Sequence, residues 1–126
     1  MTKVTIKNAP KTLRDSLKRA LTFIKKKKSV KNIYSDNLGN SCLIGSYFTP
    51  EQREWIKTKD LNESNIAHVS QKIGRRNLLA MTGMNADQCS VLQNDFDSGD
   101  SNFLFASIKG VLAGDRDKIS GVRFKL

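Results

Sequence analysis

Apolar positions early in the chain recur with a helical period. Leu13, Leu17, Ala20, Leu21 and Ile24 follow one another at spacings of four, three, one and three residues, which sets them on one stripe of an α-helix. Asn8, Ala9 and Pro10 stand ahead of the stripe. Asparagine caps helices and proline is tolerated in a first turn, so this triplet predicts the helix start. Val4 and Ile6 alternate with polar residues and predict a short strand before it. The four adjacent lysines Lys25 to Lys28 repel one another and predict a frayed helix end.

Val30, Ile33 and Tyr34, the turn formers Asp36 to Asn40, and the β-prone run Cys42 to Phe48 predict strand, loop and strand, a hairpin. Thr49-Pro50-Glu51-Gln52 combines a capping hydroxyl, a proline at the first helical position, an acid in the first turn, and Gln52 three residues after the threonine. It predicts a short helix to about Lys59 with Trp55 and Ile56 inward. Leu61 and Asn62 read as a connection. A third helix is predicted over about 63–73, with Ile66, Val69 and Ile73 on one side and Gly74 just past its end.

Beyond Arg75 and Arg76 the pattern changes. Leu78 to Met81, Ser90 to Leu92, Phe103 to Ile108 with a bulge at Gly110, and Val122 to Leu126 are short apolar or alternating runs. They are separated by the polar clusters Asp95 to Asp100 and Gly114 to Asp117, and predict strands. Helices first and strands after predict an α+β fold with an antiparallel sheet. With 126 residues, no repeat and no linker, the expectation is one domain over 1–126. Its basic helical part spans about 1–32 and its strand-rich part about 77–126.

Charge changes the picture more than composition does. Apolar residues are 38% of the chain, low for a globular protein but above the disordered range. No apolar run approaches the length of a membrane span, and the N-terminus lacks the apolar core of a signal peptide. The net charge is +10, and residues 1–32 carry all of it: eleven lysines and arginines stand there against Asp15 alone. A cationic segment beside a neutral remainder predicts a polyanionic partner, most simply nucleic acid, because each cation that meets a phosphate releases a condensed counterion. The candidate phosphate contacts are Lys11, Arg14, Lys18, Lys25, Lys26, Lys27 and Lys28, with Phe23 or Tyr34 as candidate base-stacking rings. Arg75 and Arg76 form a second cluster with Lys72, joined to the first if the third helix docks beside the first. No Cys/His finger is present, and no second helix follows the basic one at helix-turn-helix spacing.

Other candidate chemistry is sparse. His68 is the single histidine. A ribonuclease would pair it with Glu63 or Asp60 and use Arg75 or Arg76 to stabilise the transition state. Spacing fixes no such partnership, so the chain is expected not to be an enzyme. Asp95, Asp97 and Asp100 crowd one turn, but Ala106 stands where a calcium loop needs its bidentate glutamate. The turn is expected to be exposed and able to contact the basic segment, with no metal or other cofactor. Cys42 and Cys89 make neither a disulfide framework nor a zinc site, and are expected to be reduced structural thiols.

The stretch Gln71-Lys72-Ile73-Gly74-Arg75-Arg76-Asn77-Leu78-Leu79-Ala80-Met81-Thr82-Gly83 resembles a Gln-x-Ile-Gly-x-x-Asn-Leu-Leu-Ala-Ile-Ser-Gly segment of small phage and prophage proteins. It covers about a tenth of the chain; the later Asp-Thr-Tyr element of those proteins has no counterpart. The resemblance implies a mobile-element origin and little else; the cytoplasm of a host cell is the expected location because both cysteines read as reduced thiols. The resemblance does suggest a helix-to-strand corner between Gly74 and Gly83, with Asn77 bonded to the local backbone. The leading expectation is thus a nucleic-acid-binding accessory protein with weak sequence preference. The alternative is an effector that inhibits a host nuclease or defence complex by occupying an acidic protein surface. A ribonuclease built on His68 is the third reading.

Overall fold

The computed structural model describes residues 9–25, 29–36, 38, 40–99 and 101–126. Six α-helices lie among them: α1 Leu13–Ile24, α2 Pro50–Thr58, α3 Ile66–Ile73, α4 Arg75–Thr82, α5 Ala86–Ser98 and α6 Ser101–Ala113. A 3-10 helix, Ile44–Tyr47, precedes α2. The only paired strands among the described residues are β1 Lys118–Ile119 and β2 Val122–Arg123, an antiparallel hairpin. The chain is therefore mainly helical, and the expected packing of helices on a C-terminal sheet is not what forms.

The first three helical expectations hold, with local adjustments. In α1 the cap is Thr12, whose hydroxyl accepts from Asp15 N–H at 3.1 Å. Its buried face is Ser16, Leu17, Ala20 and Phe23, while Leu13, Leu21 and Ile24 are partly buried. The face is rotated toward Ser16 and Phe23 because that side is tied down. Ser16 Oγ donates to Thr82 O at 2.6 Å, and Tyr47 Oη donates to Ser16 O at 2.7 Å. The Thr49–Gln52 capping box opens α2. Asn65 caps α3, which ends on Gly74 at φ +92°, a conformation open only to glycine.

The strands expected over 78–81, 90–92 and 103–108 are instead parts of α4, α5 and α6. Short apolar runs do not separate buried helix from buried strand, and burial here follows the helical period. In α6 the buried positions are Leu104, Ser107, Ile108 and Val111, while Phe103 is 64% exposed. Gly110 is an interior helix residue, not a bulge: the Arg116 side chain lies across it, its Cδ 2.9 Å from where a Cβ would stand. Asp95 and Asp97 are partly buried in the last turns of α5, not on an exposed turn. The corner implied after Gly74 is helix to helix, although Asn77 Nδ2 does donate to Ile73 O at 2.6 Å.

The hairpin expected around 30–48 reduces to one bridge, Ser35 with Ser41. Its second arm is the 3-10 helix, because Gln93 of α5 reaches in: Gln93 Oε1 accepts from Ile44 N–H at 2.9 Å and from the Cys42 thiol at 3.1 Å. The last strand shortens to Val122–Arg123, turned by Ser120 and Gly121 with φ of +47° and +84°, the two-residue hairpin geometry that matches strand twist. One core joins these parts, and α5 is its axis, packed on α3, α4, α6, the 3-10 helix and β2. The strand expected at Val4 and Ile6 lies outside the described residues, as does Asn8; the helix start expected at Asn8 to Pro10 is instead at Leu13, after the Thr12 cap.

Candidate nucleic-acid interface

Three of the predicted phosphate contacts share one side of α1. Arg14, Lys18 and Lys25 are all exposed, at spacings of four and seven residues, about one and two helical turns. The helix that flanks them is α6, the main packing partner of α1. Lys25 Nζ stands 5.3 Å from the centre of the Phe105 ring of α6, and Lys109 Nζ stands 5.7 Å from the same ring. At the other end, Arg14 lines a groove of about 520 Å³ with Val111 to Gly114, Arg116 and Lys125. The start of α1 thus meets the end of α6, so the two helices run antiparallel.

That arrangement brings in cations the basic segment does not contain. Lys109, Arg116 and Lys125 come from the neutral remainder of the chain, yet extend the same seam. Asp117 also lines the groove, but it pairs with Arg123 at 3.7 Å, both side chains well exposed. The two ammonium groups against Phe105 are held loosely: a cation–π contact at an exposed site contributes about 0.5–1 kcal/mol. The seam is a solvated row of positive charge with one partly buried aromatic ring in it.

The other predicted contacts fall elsewhere. Lys11 is exposed just ahead of the Thr12 cap. Lys26, Lys27 and Lys28 lie outside the described residues. Arg75 and Arg76 do not join the seam, because α3 packs mainly on α5 and α4. They line a separate cavity of about 370 Å³ with Leu79, Asn85, Ala86 and Asp87. They also occupy the first turn of α4, which has no side-chain cap and no acid. Cations are disfavoured at that end of the helix dipole.

Phe23 and Tyr34 are not base-stacking platforms. Phe23 is buried against Phe96 with ring centres 5.7 Å apart, and Tyr34 is buried with its hydroxyl donating to Ser64 O at 2.7 Å. His68 is exposed on α3. Asp97 does meet the basic segment, through the Asn32 backbone: Asn32 N–H donates to Asp97 Oδ1 at 2.9 Å. No cluster of metal-ligating side chains occurs among the described residues. Cys42 and Cys89 are free and buried, and burial pushes both thiols up to about 12. Neither supplies a thiolate nucleophile.

The three-residue corner Gly83-Met84-Asn85 between α4 and α5 has the length of a helix-turn-helix junction. Here α5 is the buried axis of the core and opens with Asp87, so it is not free to enter a groove. No described helix is long and apolar enough to cross a membrane. Comparison with protein-family models, curated proteins and solved structures gave no match.

Proposed function

We propose that this protein binds nucleic acid through its phosphates, with weak sequence preference, along the seam between α1 and α6. The observation that carries this reading is the convergence of Arg14, Lys18 and Lys25 with Lys109, Arg116 and Lys125 on one exposed surface. Such a row acts by releasing counterions from a phosphate backbone and by steering encounter; it reads no base edges. Lys11 extends the row at the helix start. Arg75 and Arg76 are a second, separate phosphate contact, where an anion would offset the unfavourable dipole end of α4. The segment resembling phage proteins makes a mobile element the expected setting.

Salt dependence tests this. With six phosphate contacts, affinity for a labelled duplex falls with a log–log slope of about −5, and for a single strand about −4. Changing Arg14, Lys18 and Lys25 together to glutamine flattens the duplex slope by about three units, about one per lost contact, for all sequences alike. Absence of binding at about 50 mM salt, where phosphate contacts are strong, ends this reading. The same cationic seam would then be set against an acidic host protein, sought by a pull-down that survives nuclease treatment.

A further inference from the structure

Residues 32–34, the approach to α3 and the second half of α5 enclose a cavity of about 220 Å³ that shares no residue with the seam. Tyr34, Cys42 and Gln93 are buried in its floor, Asp97 is half-buried in its wall, and Glu63 stands exposed at its rim. Gln93 is only 4% exposed, and one end of its amide is committed. Its Oε1 accepts from Ile44 N–H at 2.9 Å and from the Cys42 thiol at 3.1 Å. The backbone donor fixes which end is oxygen. The other end, Nε2, carries two N–H donors and has no acceptor among the described residues. It is not sealed from solvent, and the cavity is the opening that Gln93 lines.

Asp97 stands four residues after Gln93 on α5, one turn along the same face. Its Oδ1 accepts from Asn32 N–H at 2.9 Å, and its Oδ2 has no donor among the described residues. A bare cation would suit Asp97 and Glu63 but would set the Gln93 donors against a like charge. A phosphate would suit Gln93 but meet two carboxylates. The pair fits a ligand with an acceptor beside a donor, a carbonyl for Gln93 Nε2 and an N–H for Asp97 Oδ2. At about 220 Å³ the cavity is below the range for drug-sized ligands, which suits one base with its sugar left outside. We propose that it takes a nucleobase carrying C=O beside N–H: guanine, uracil or thymine. The carbonyl accepts from Gln93 and the ring N–H donates to Asp97. Adenine has no carbonyl, and cytosine sets a bare ring nitrogen beside its own, so each leaves a buried polar group unpaired. The base comes from a single strand or from a free nucleoside. Only the strand as source rests on the nucleic-acid reading above; there the seam holds phosphates and the cavity adds a base preference.

Titration with uridine and guanosine, set against cytidine and adenosine, tests the cavity by calorimetry and by the Gln93 side-chain amide resonance. Uridine or guanosine is expected to shift that resonance saturably and to bind about tenfold or more tighter than the other two, the scale of a hydrogen bond to a charged group. Asp97→Asn keeps an acceptor for Asn32 N–H but puts a donor where Oδ2 stands. It is expected to weaken uridine about tenfold and to strengthen cytidine, whose ring nitrogen then meets a donor. Glutamine at positions 14, 18 and 25 leaves nucleoside binding unchanged. Equal binding of the four nucleosides overturns the proposal, as does a preference that survives Asp97→Asn. An equal shift with magnesium or guanidinium chloride also overturns it. If Asp97→Asn does not fold, the wild-type resonance decides: a shift with uridine or guanosine but not with cytidine supports the cavity, and any other result overturns it. Oligoadenosine strands with and without one central uridine or guanosine separate the sources. An affinity gain that needs Asp97 assigns the cavity to a strand base; nucleoside binding without that gain assigns it to a free nucleoside. Strands that bind with a steep salt slope but show neither response overturn the cavity and leave the seam standing. Nucleoside binding without strand binding at about 50 mM salt ends the seam reading and leaves the cavity standing.

Discussion

Along α1, Lys18 and Arg19 are neighbours in sequence and opposites in environment. Lys18 is exposed in a row with Arg14 and Lys25, facing solvent beside α6. Arg19 is half-buried, fixed by the Ser46 carbonyl and the Tyr47 ring. The first row contributes a field and little to the fold, since solvated charges are screened and mobile. The second flank is built into the packing of the 3-10 helix. Net charge alone, which counts both residues as +1, hides this division of work. Substitutions on the two flanks separate it, and the largest effects belong to the residues that hold the buried side together.

Leu17 is fully buried at the centre of the inner face of α1. Leu17→Ala is expected to destabilise by about 2–5 kcal/mol through lost transfer energy plus a residual cavity. A denaturant melt measures it. A loss under about half a kcal/mol, the range of a surface substitution, would mean that α1 is not anchored through this face. The contrast between its flanks would then have no structural basis.

The next effect tests the 3-10 helix that Arg19 and Arg53 grip. Gly45 is buried, and a Cβ there would run into the Tyr34 carbonyl. Backbone cannot rotate away as a side chain can. Gly45→Ala is therefore expected near the upper end of the usual overpacking cost, about 3 kcal/mol. Chemical denaturation reads the loss, and the Arg53 Nε resonance should move because its acceptor is Gly45 O. An unchanged stability would show that residues 34 and 45 are not in contact.

Parts of this arrangement are legible in the sequence and parts are not, for identifiable reasons. The start of α2 is legible because Thr49, Pro50 and Gln52 encode it within four residues. The end of α3 is legible because Gly74 follows a clean apolar stripe. The start of α5 carries a comparable local signal, Asn85 with Gln88, whose side chains cap each other's backbone N–H groups at 2.8 and 3.0 Å. With Gly83 in the left-handed region at φ +72°, it marks a helix–turn–helix corner where the short apolar runs suggested strands. The period of α6 is masked because two of its inward or close-packed positions are Ser107 and Gly110, while the large Phe103 points out. The 3-10 helix is not legible locally, since Gln93 holds it from 49 residues away. For the candidate interface, the spacing of Arg14, Lys18 and Lys25 is readable, but Lys109, Arg116 and Lys125 join them only once α6 docks antiparallel on α1.

The smallest stability effect is the sharpest test of the comparison, because it contrasts adjacent residues. Arg19→Gln removes a charge-assisted hydrogen bond to Ser46 O and a cation–π contact with Tyr47, for an expected loss of about 1–3 kcal/mol. Lys18→Gln removes one exposed charge from the row, for an expected change within about 0.5 kcal/mol in either direction. The ranking should invert for nucleic acid. Lys18→Gln should remove about one unit of the salt slope, whereas Arg19→Gln, once its stability loss is offset by working well below its melting temperature, should leave that slope unchanged. Parallel denaturant melts and salt titrations on the two variants measure both quantities. If both variants lose stability equally, the two flanks of α1 are the same environment. If both lose the same share of the slope, the surface that meets phosphate wraps around α1 and is not confined to its seam with α6.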